Sequence, residues 1–431
     1  MIALVGLLAV FVLIFSGVPL AFALIAVSFF GVASVIGFQP TKFMVAQIVF
    51  DSGLTYAYSV LPLFILMGNF VARSRLADDL FSTAYKFVGH RRGGLAQATI
   101  VACGGFAAVS GSSAATAATM VRVALPAMRA RGYDDKLATG AIAVGGTLGI
   151  LIPPSGVMLL YGLITQTDVA RLFTAGIVPG IIAVILYTTT VGIITWRRPE
   201  LGPPGERTKW IARLKSLKDV WGIIVLFLLV MGGIMAGAFT PTEGGGIGAA
   251  GALVFAIFRR AITWRIFAEV LVETGRTTAM IFFIFMGALL FTNLVEVSRI
   301  PVKVSELIDW LNLGPYGVML VIIAIYVILG CAVESISMMF LTIPLFLPIA
   351  LKFGFDRVWF GVLVVVVIEL GLITPPIGLN VFVMKSMLPD VRIKTIFAGV
   401  APFIVAMIGL LLLILFVPEV VLFLPNLIFN P

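Results

Sequence analysis

Charge is scarce in this chain. Of its 431 residues only 11% are Asp, Glu, Lys or Arg, where soluble domains carry about a quarter, and this excludes an ordinary water-soluble domain. Histidine is nearly absent. His90 stands alone, so there is no HExxH, no Ser-His pair and no imidazole cluster for a transition metal. The two cysteines, Cys103 and Cys331, each sit in an apolar run and read as packed thiols, not as a disulfide framework. Aspartates fall in loops or at span ends, which leaves no intramembrane acid pair for a protease. The glycine-rich run FTPTEGGGIGAAGALVFAIF lacks the Lys-Ser or Lys-Thr of a phosphate loop and reads as close helix packing. No ATPase or hydrolase motif remains, so an enzyme is not expected.

What is abundant is apolar. The hydrophobic share is 61% and the mean hydropathy +1.16, which describes an all-α polytopic membrane protein. The net charge of +9 needs no nucleic acid, because membrane proteins collect Lys and Arg in cytoplasmic loops. The first residues, MIALVGLLAVFVLIFSGVPL, have no basic n-region and read as a retained span.

The most basic loop, 197–218, is assigned to the cytoplasm, and the other segments are counted outward from it. Spans are expected at 2–15, 18–36, 59–72, 136–166 and 172–196, then at 220–239, 241–258, 268–297, 358–388 and 396–416. Segments 93–128 and 313–351 are too long for one span and too short for two with a loop, so they read as re-entrant hairpins. The expectation is about ten spans, two hairpins and two broken helices. Each half, 1–196 and 219–431, holds five spans and one hairpin, joined by the loop 197–218. Five is odd, so the second half is inverted relative to the first and both termini lie outside.

The halves also share a text. SGSSAATAATMVRVALP and LGILIPPSG in the first recur as AVESISMMFLTIPLFLP and LGLITPPIG in the second, at a constant offset of 222 residues. Ser113 falls on Ser335, Gly149 on Gly371, and Pro153-Pro154 on Pro375-Pro376. Interruptions paired across two halves point to a transport site near the bilayer midplane. The first set is Ser110, Gly111, Ser112, Ser113 and Thr116 with Gly149, Ile152 and Pro153; the second is Glu334, Ser335 and Ser337 with Gly371, Thr374, Pro375 and Asn380. Hydroxyls and freed carbonyls suit a hard cation such as sodium, and inward half-helix N-termini suit an anion. Taken singly, such hydroxyls more often serve packing and back-bonding; the doubling carries the signal. Among membrane glutamates, Glu334 and Glu369 are the deepest, and Glu369 with Arg122 is a candidate for charge coupling. Glu243, Glu273, Glu296 and Arg276 lie nearer span ends, where a structural role is favoured.

The phrases GGFAAVSGSSAATAATM, GGTLGILIPPSGVM, GAFTPTEGGGIGA, ESISMMFLTIPLFLPI and ELGLITPPIGLNVFVMK resemble the large membrane subunit of tripartite ATP-independent periplasmic (TRAP) transporters, over nearly the entire chain. The resemblance implies a secondary transporter of a bacterial or archaeal cytoplasmic membrane, taking up an organic anion, commonly a carboxylate, on a sodium gradient. It implies no cofactor beyond the coupling sodium ions. It implies two partners, a periplasmic substrate-binding protein and a small four-helix membrane subunit, the latter separate because this chain starts at the first span. It also implies an elevator motion, with the tips Ser110 to Ser113 and Glu334 to Ser337 lining the sodium and substrate sites. The alternative is a stand-alone proton- or sodium-coupled anion transporter of the related inverted-repeat fold.

Overall fold

Long apolar stretches leave the backbone no hydrogen-bonding partner but itself, so helices are the expected outcome, and helices are what the computed structural model contains. It describes residues 2–299, 302, 306, 314–331 and 333–429, and no strand occurs among them. The first group of helices is α1 (Ile2–Phe15), α2 (Leu20–Ile36), α3 (Phe38–Leu54), α4 (Val60–Arg73) and α5 (Leu76–Val88). Next come α6 (Gly94–Ser110), α7 (Ser113–Ala130), α8 (Asp135–Leu151), α9 (Gly156–Thr165) and α10 (Val169–Arg197). After the basic loop follow α11 (Trp210–Ser216), α12 (Trp221–Phe227), α13 (Pro241–Phe258) and α14 (Trp264–Val297). The chain ends with α15 (Pro315–Gly330), α16 (Ser335–Lys352), α17 (Arg357–Ile373), α18 (Leu379–Met387), α19 (Ile393–Phe416) and α20 (Glu419–Phe429).

Seven of the described helices are long and apolar enough to cross a membrane, or eight if the bent pair Trp210–Ser216 and Trp221–Met235 is one span. The expected ten included shorter pieces: α1 has 14 residues and α2 and α17 have 17 each, below the ~20 of a full crossing. Conversely one of the seven, α16, is a hairpin arm. Helices α3, α5, α11 and α20 were not anticipated as elements. Of the second hairpin, Leu313 and Ala332 lie outside the described residues, as does most of 300–313.

The repeat is visible in the helix limits. Helix α16 begins and ends 222 residues after α7, and α17 begins and ends 222 residues after α8. Side-chain caps set several of these limits: Asp134 accepts from Lys136 N–H ahead of α8, and Asp356 accepts from Val358 and Trp359 N–H ahead of α17. The interior is built on these two helices, since α8 from Leu137 and α17 from Val358 are buried along their whole length. Valine-rich α17 is helical despite its β-branched residues, because burial overrides so weak a propensity. Where α8 crosses α19, a Cβ on Gly140 would run into the Gly399 backbone, and one on Gly399 into the Lys136 carbonyl.

Two packing groups result. Helix α14 runs along α2 and α4, and α4 runs along α13. In the other group α8 is enclosed by α6, α7 and α19, while α17 packs on α15, α16 and α19. The hairpin arms α6 and α16, with α9, are where the groups touch.

Candidate functional site

The first tip is a two-residue turn. Gly111 ends α6 with φ 63°, in the left-handed region that favours glycine, and Ser112 is extended and caps α7 through Ala115 N–H at 3.4 Å. The Thr116 hydroxyl donates to the Ser112 carbonyl at 2.8 Å and lies 3.0 Å from the Ser110 hydroxyl. The tip is then clamped from two sides. A Cβ on Gly149 would lie 2.5 Å from the Ser112 carbonyl oxygen, and one on Gly68 of α4 would lie 2.8 Å from that of Ser110.

Helix α8 stops at Leu151 because Ile152 is extended and Pro153 and Pro154 follow, joined by a cis bond. Ser155 then caps α9, accepting Met158 N–H at 3.2 Å while donating to the Ile150 carbonyl. Ser155 was missed in the sequence, although a Ser immediately before a new helix is an ordinary cap signal. Residues Pro153, Pro154 and Ser155 are all buried. Covering them, α10 comes so close that a Cβ on Gly180 would meet the Ile152 side chain at 2.8 Å.

At the second tip Glu334 takes the place of Ser112. Its carboxylate caps α16, accepting from Ser337 N–H and from the Ser337 hydroxyl, both at 3.2 Å. Ser335 is buried beside it. Helix α17 stops at Ile373, Thr374 is extended with its hydroxyl bonded back to the Leu370 carbonyl, and Pro375 and Pro376 follow, again through a cis bond. Gly371 meets Gly330 of the hairpin arm so closely that a Cβ there would lie 2.6 Å from the Gly330 Cα. Gly378, at φ 61°, donates to the Cys331 carbonyl at 3.4 Å and is the N-cap of α18, which has no side-chain cap because glycine offers none, and Ile377 stands where Ser155 stands in the first half. Unlike its counterpart this break is open: Pro375, Pro376 and Ile377 are exposed.

The two tips share a cavity of about 320 Å³. Ser110, Gly111, Ser112, Ser113, Glu334 and Ser335 line it, with Pro154 and Leu379 from the breaks. Its far wall is α4 and α14, including Asn69, Glu273 and Thr277. Asn69 donates to the Thr274 hydroxyl at 2.9 Å, and Arg73 pairs with Glu273 at 3.3 Å and Glu269 at 3.5 Å, which fixes this wall. Two carboxylates and no Lys or Arg side chain line the space, so its own charge favours cations. Of these wall residues Asn69 and Thr277 carry no signal in the sequence, since nothing repeats there, while Glu273 reads from it only as a membrane glutamate near a span end.

The other candidates stand back from the cavity. Thr116 and Gly149 lie directly behind the first tip, Gly371 packs on Gly330 within α17, and Ile152, Pro153, Thr374 and Pro375 form the breaks. Asn380 and Glu369 are fully buried, and neither the Asn380 amide nor either Glu369 oxygen has a hydrogen-bonding partner among the described residues. Glu369 stands where Thr147 stands in α8. The Thr147 hydroxyl bonds to the Val144 carbonyl at 2.7 Å and lies 3.3 Å from the Tyr187 hydroxyl, which is itself within electrostatic reach of Glu369. Arg122 is exposed on α7, and no ion pair joins it to Glu369.

At the basic ends of the helices, Arg129 closes α7 with bonds to Asp135 at 2.8 Å and to Asp390 at 2.8 Å, linking the start of α8 to the loop before α19. The guanidinium holds the Asp390 carboxyl below the usual carboxylate range.

The family described as "Tripartite ATP-independent periplasmic transporter, DctM component" matches residues 7–420. The chain is 35% identical over 399 residues to the C4-dicarboxylate TRAP transporter large permease protein DctM of Pseudomonas aeruginosa, covering 92% of each. It is 30% identical over 431 residues to the ectoine/5-hydroxyectoine TRAP transporter large permease protein UehC of Ruegeria pomeroyi, covering 98% of each. Among solved structures it resembles the YdaH transporter of Alcanivorax borkumensis, with a TM-score of 0.62 at 14% identity and 88% of each chain covered; at that identity the likeness is one of fold.

Proposed function

Because the chain belongs to the DctM component family of tripartite ATP-independent periplasmic transporters, and is thus a membrane-spanning transporter permease and not an enzyme, we propose that it couples sodium entry to uptake of an organic anion through the cavity between its two tips. The observation that carries this reading is the convergence of Ser112 and Glu334, 222 residues apart, on one space of about 320 Å³. Sodium ions bind first, held at the tips by Glu334, the serine hydroxyls, and carbonyls freed at the breaks, with the Asn380 amide as a further oxygen donor. The order follows from charge: Glu273 is paired with Arg73, but Glu334 has no cationic partner among the described residues, and its carboxylate repels an anion until a cation neutralises it. The anion then sits between the N-termini of α7 and α16, whose positive ends both reach the cavity. A carboxylate is the substrate class this geometry suits, in keeping with the dicarboxylate relative, whereas the ectoine relative marks how far substrates range in the family.

Transport proceeds by sliding the group that carries the tips, α6–α10 with α15–α20, against the wall of α2, α4, α13 and α14, as an elevator. The inverted repeat 1–196 and 219–431 supplies the symmetry: exchanging the sealed first break for the open second one exchanges the side of access. A periplasmic binding protein delivers the substrate, and a small membrane subunit of four helices packs on this chain in the bacterial cytoplasmic membrane, with both termini on the periplasmic side. A second reading rests on Glu369, whose unpartnered carboxyl suits a proton carrier, with Arg122 as the mobile countercharge; it describes a stand-alone proton-coupled transporter.

Uptake into liposomes holding the chain and its small partner separates the two. The proposal expects transport only with an inward sodium gradient and the binding protein together. Uptake on a proton gradient alone, without the binding protein, would replace it with the second reading.

A further inference from the structure

A second groove, of about 470 Å³, opens on the outer flank of the α6–α10 pair. Val88, Val101 and Ile193 make its apolar wall, and Trp196, 76% exposed, stands at its rim. Arg91 lines its polar side with Gln97, which is fixed by donating to the Thr188 carbonyl at 3.2 Å. The two helix ends here are tied together: the Thr195 hydroxyl donates to the Arg92 carbonyl at 3.2 Å, and Gly93 N–H to the Gly202 carbonyl at 2.8 Å. Arg91 and Arg92 therefore stand at the same end as Arg197 and Arg198. All four are exposed, and none forms an ion pair among the described residues; Glu200 and Glu206, the acids nearest in the chain, bond to none of them.

We propose that this groove seats an anionic phospholipid of the leaflet that the basic loops face. Its phosphate lies on the Arg91 and Arg92 guanidinium groups, an acyl chain follows Val88, Val101 and Ile193, and Trp196 marks the interfacial level. Basic loops gather on one side of any membrane protein, but that tendency builds no groove. Here uncompensated arginines, an apolar trough and an interfacial tryptophan coincide, and charge complementarity selects an anionic headgroup over a zwitterionic one. The proposal is independent of the transported substrate and of the coupling ion.

Native mass spectrometry of the full chain, with equal amounts of phosphatidylglycerol and phosphatidylcholine, tests it. The wild type should retain phosphatidylglycerol preferentially. Arg91→Gln with Arg92→Gln should lower that retention about fivefold or more, and Lys42→Gln on α3 should leave it unchanged. Gly192→Leu fills the groove without touching a charge; its Cβ has room, 3.6 Å from the Gln97 amide nitrogen, and it should lower retention as well. Equal retention of the two lipids by the wild type, or wild-type retention by Gly192→Leu, would overturn the proposal. So would displacement of the lipid by inorganic phosphate at equal concentration, which would reveal an anion site with no need of an acyl chain.

Discussion

The two halves carry the same break in two conditions. Around Pro153-Pro154 the chain is sealed: Ser155 supplies a cap and satisfies a carbonyl, and α10 closes over Ile152. Around Pro375-Pro376 it is open, uncapped and exposed, with Asn380 unpartnered just beyond. The tips differ too, a hydroxyl cap at Ser112 against a carboxylate cap at Glu334. Corresponding stretches, which share Ser113 with Ser335, Gly149 with Gly371 and both Pro-Pro pairs, thus form a buried break in one half and an exposed one in the other. Among the many residues that differ, Ser155 against Ile377, Ser112 against Glu334 and Thr147 against Glu369 change the polar groups at or beside the tips and breaks, and what packs on each break differs as well.

The largest effect is expected where the first tip is clamped. Gly149→Ala puts a Cβ against the Ser112 carbonyl, and should cost about 1–3 kcal/mol of stability and bring sodium-driven uptake to background. Gly156→Ala, whose Cβ would lie 3.5 Å from the Gly111 carbonyl oxygen, should transport nearly as the wild type. Uptake assays with thermal unfolding on both variants would check this pair. Next, Glu334→Gln keeps an acceptor for the Ser337 N–H but removes the charge, and should raise the sodium concentration for half-maximal uptake by about tenfold or more. Ser112→Ala loses a neutral hydroxyl that serves as a cap, worth about 1 kcal/mol, and as one of several sodium ligands, and should shift it roughly fivefold; equal shifts would erase the distinction between the tips.

The breaks themselves can be compared by labelling. With Cys103 and Cys331 replaced by alanine, a cysteine introduced by Ile377→Cys should react with a membrane-impermeant maleimide roughly tenfold faster than one introduced by Ser155→Cys. The smallest effect belongs to the clasp between the halves at Arg129. Asp390 has its folded pKa below the ordinary value, so its stabilising contribution is present above about pH 4 and is lost as pH falls through the lowered pKa. Asp390→Asn should therefore unfold at a slightly lower temperature than the wild type at pH 7, and the gap should close in acid.

Where the tips and breaks lie could be read from residues alone because the repeat doubles Ser113, Gly149 and Pro153-Pro154 in Ser335, Gly371 and Pro375-Pro376. Ser110 to Ser113 and Glu334-Ser335 do line one cavity, and both Pro-Pro pairs end buried helices where the spacing placed the breaks. What escaped the sequence is tertiary. Glu273 was read as structural near a span end; it is paired to Arg73 and lines the cavity too, which depends on how α14 lies across the tips. The sealed and open states of the breaks depend on α10 and its glycines, which no local pattern encodes. Helices α3, α5 and α11 escaped because their polar residues interrupt the apolar runs by which spans are recognised.

The most direct test of the cavity as a sodium site is a thermal unfolding titration of the purified chain with sodium against choline at constant ionic strength, since a ligand that binds only the folded state raises its transition temperature. A sodium-specific rise is expected, largely lost in Glu334→Gln. A transition temperature that responds equally to sodium and choline, or a rise that survives in Glu334→Gln unchanged, would contradict a sodium site in the cavity.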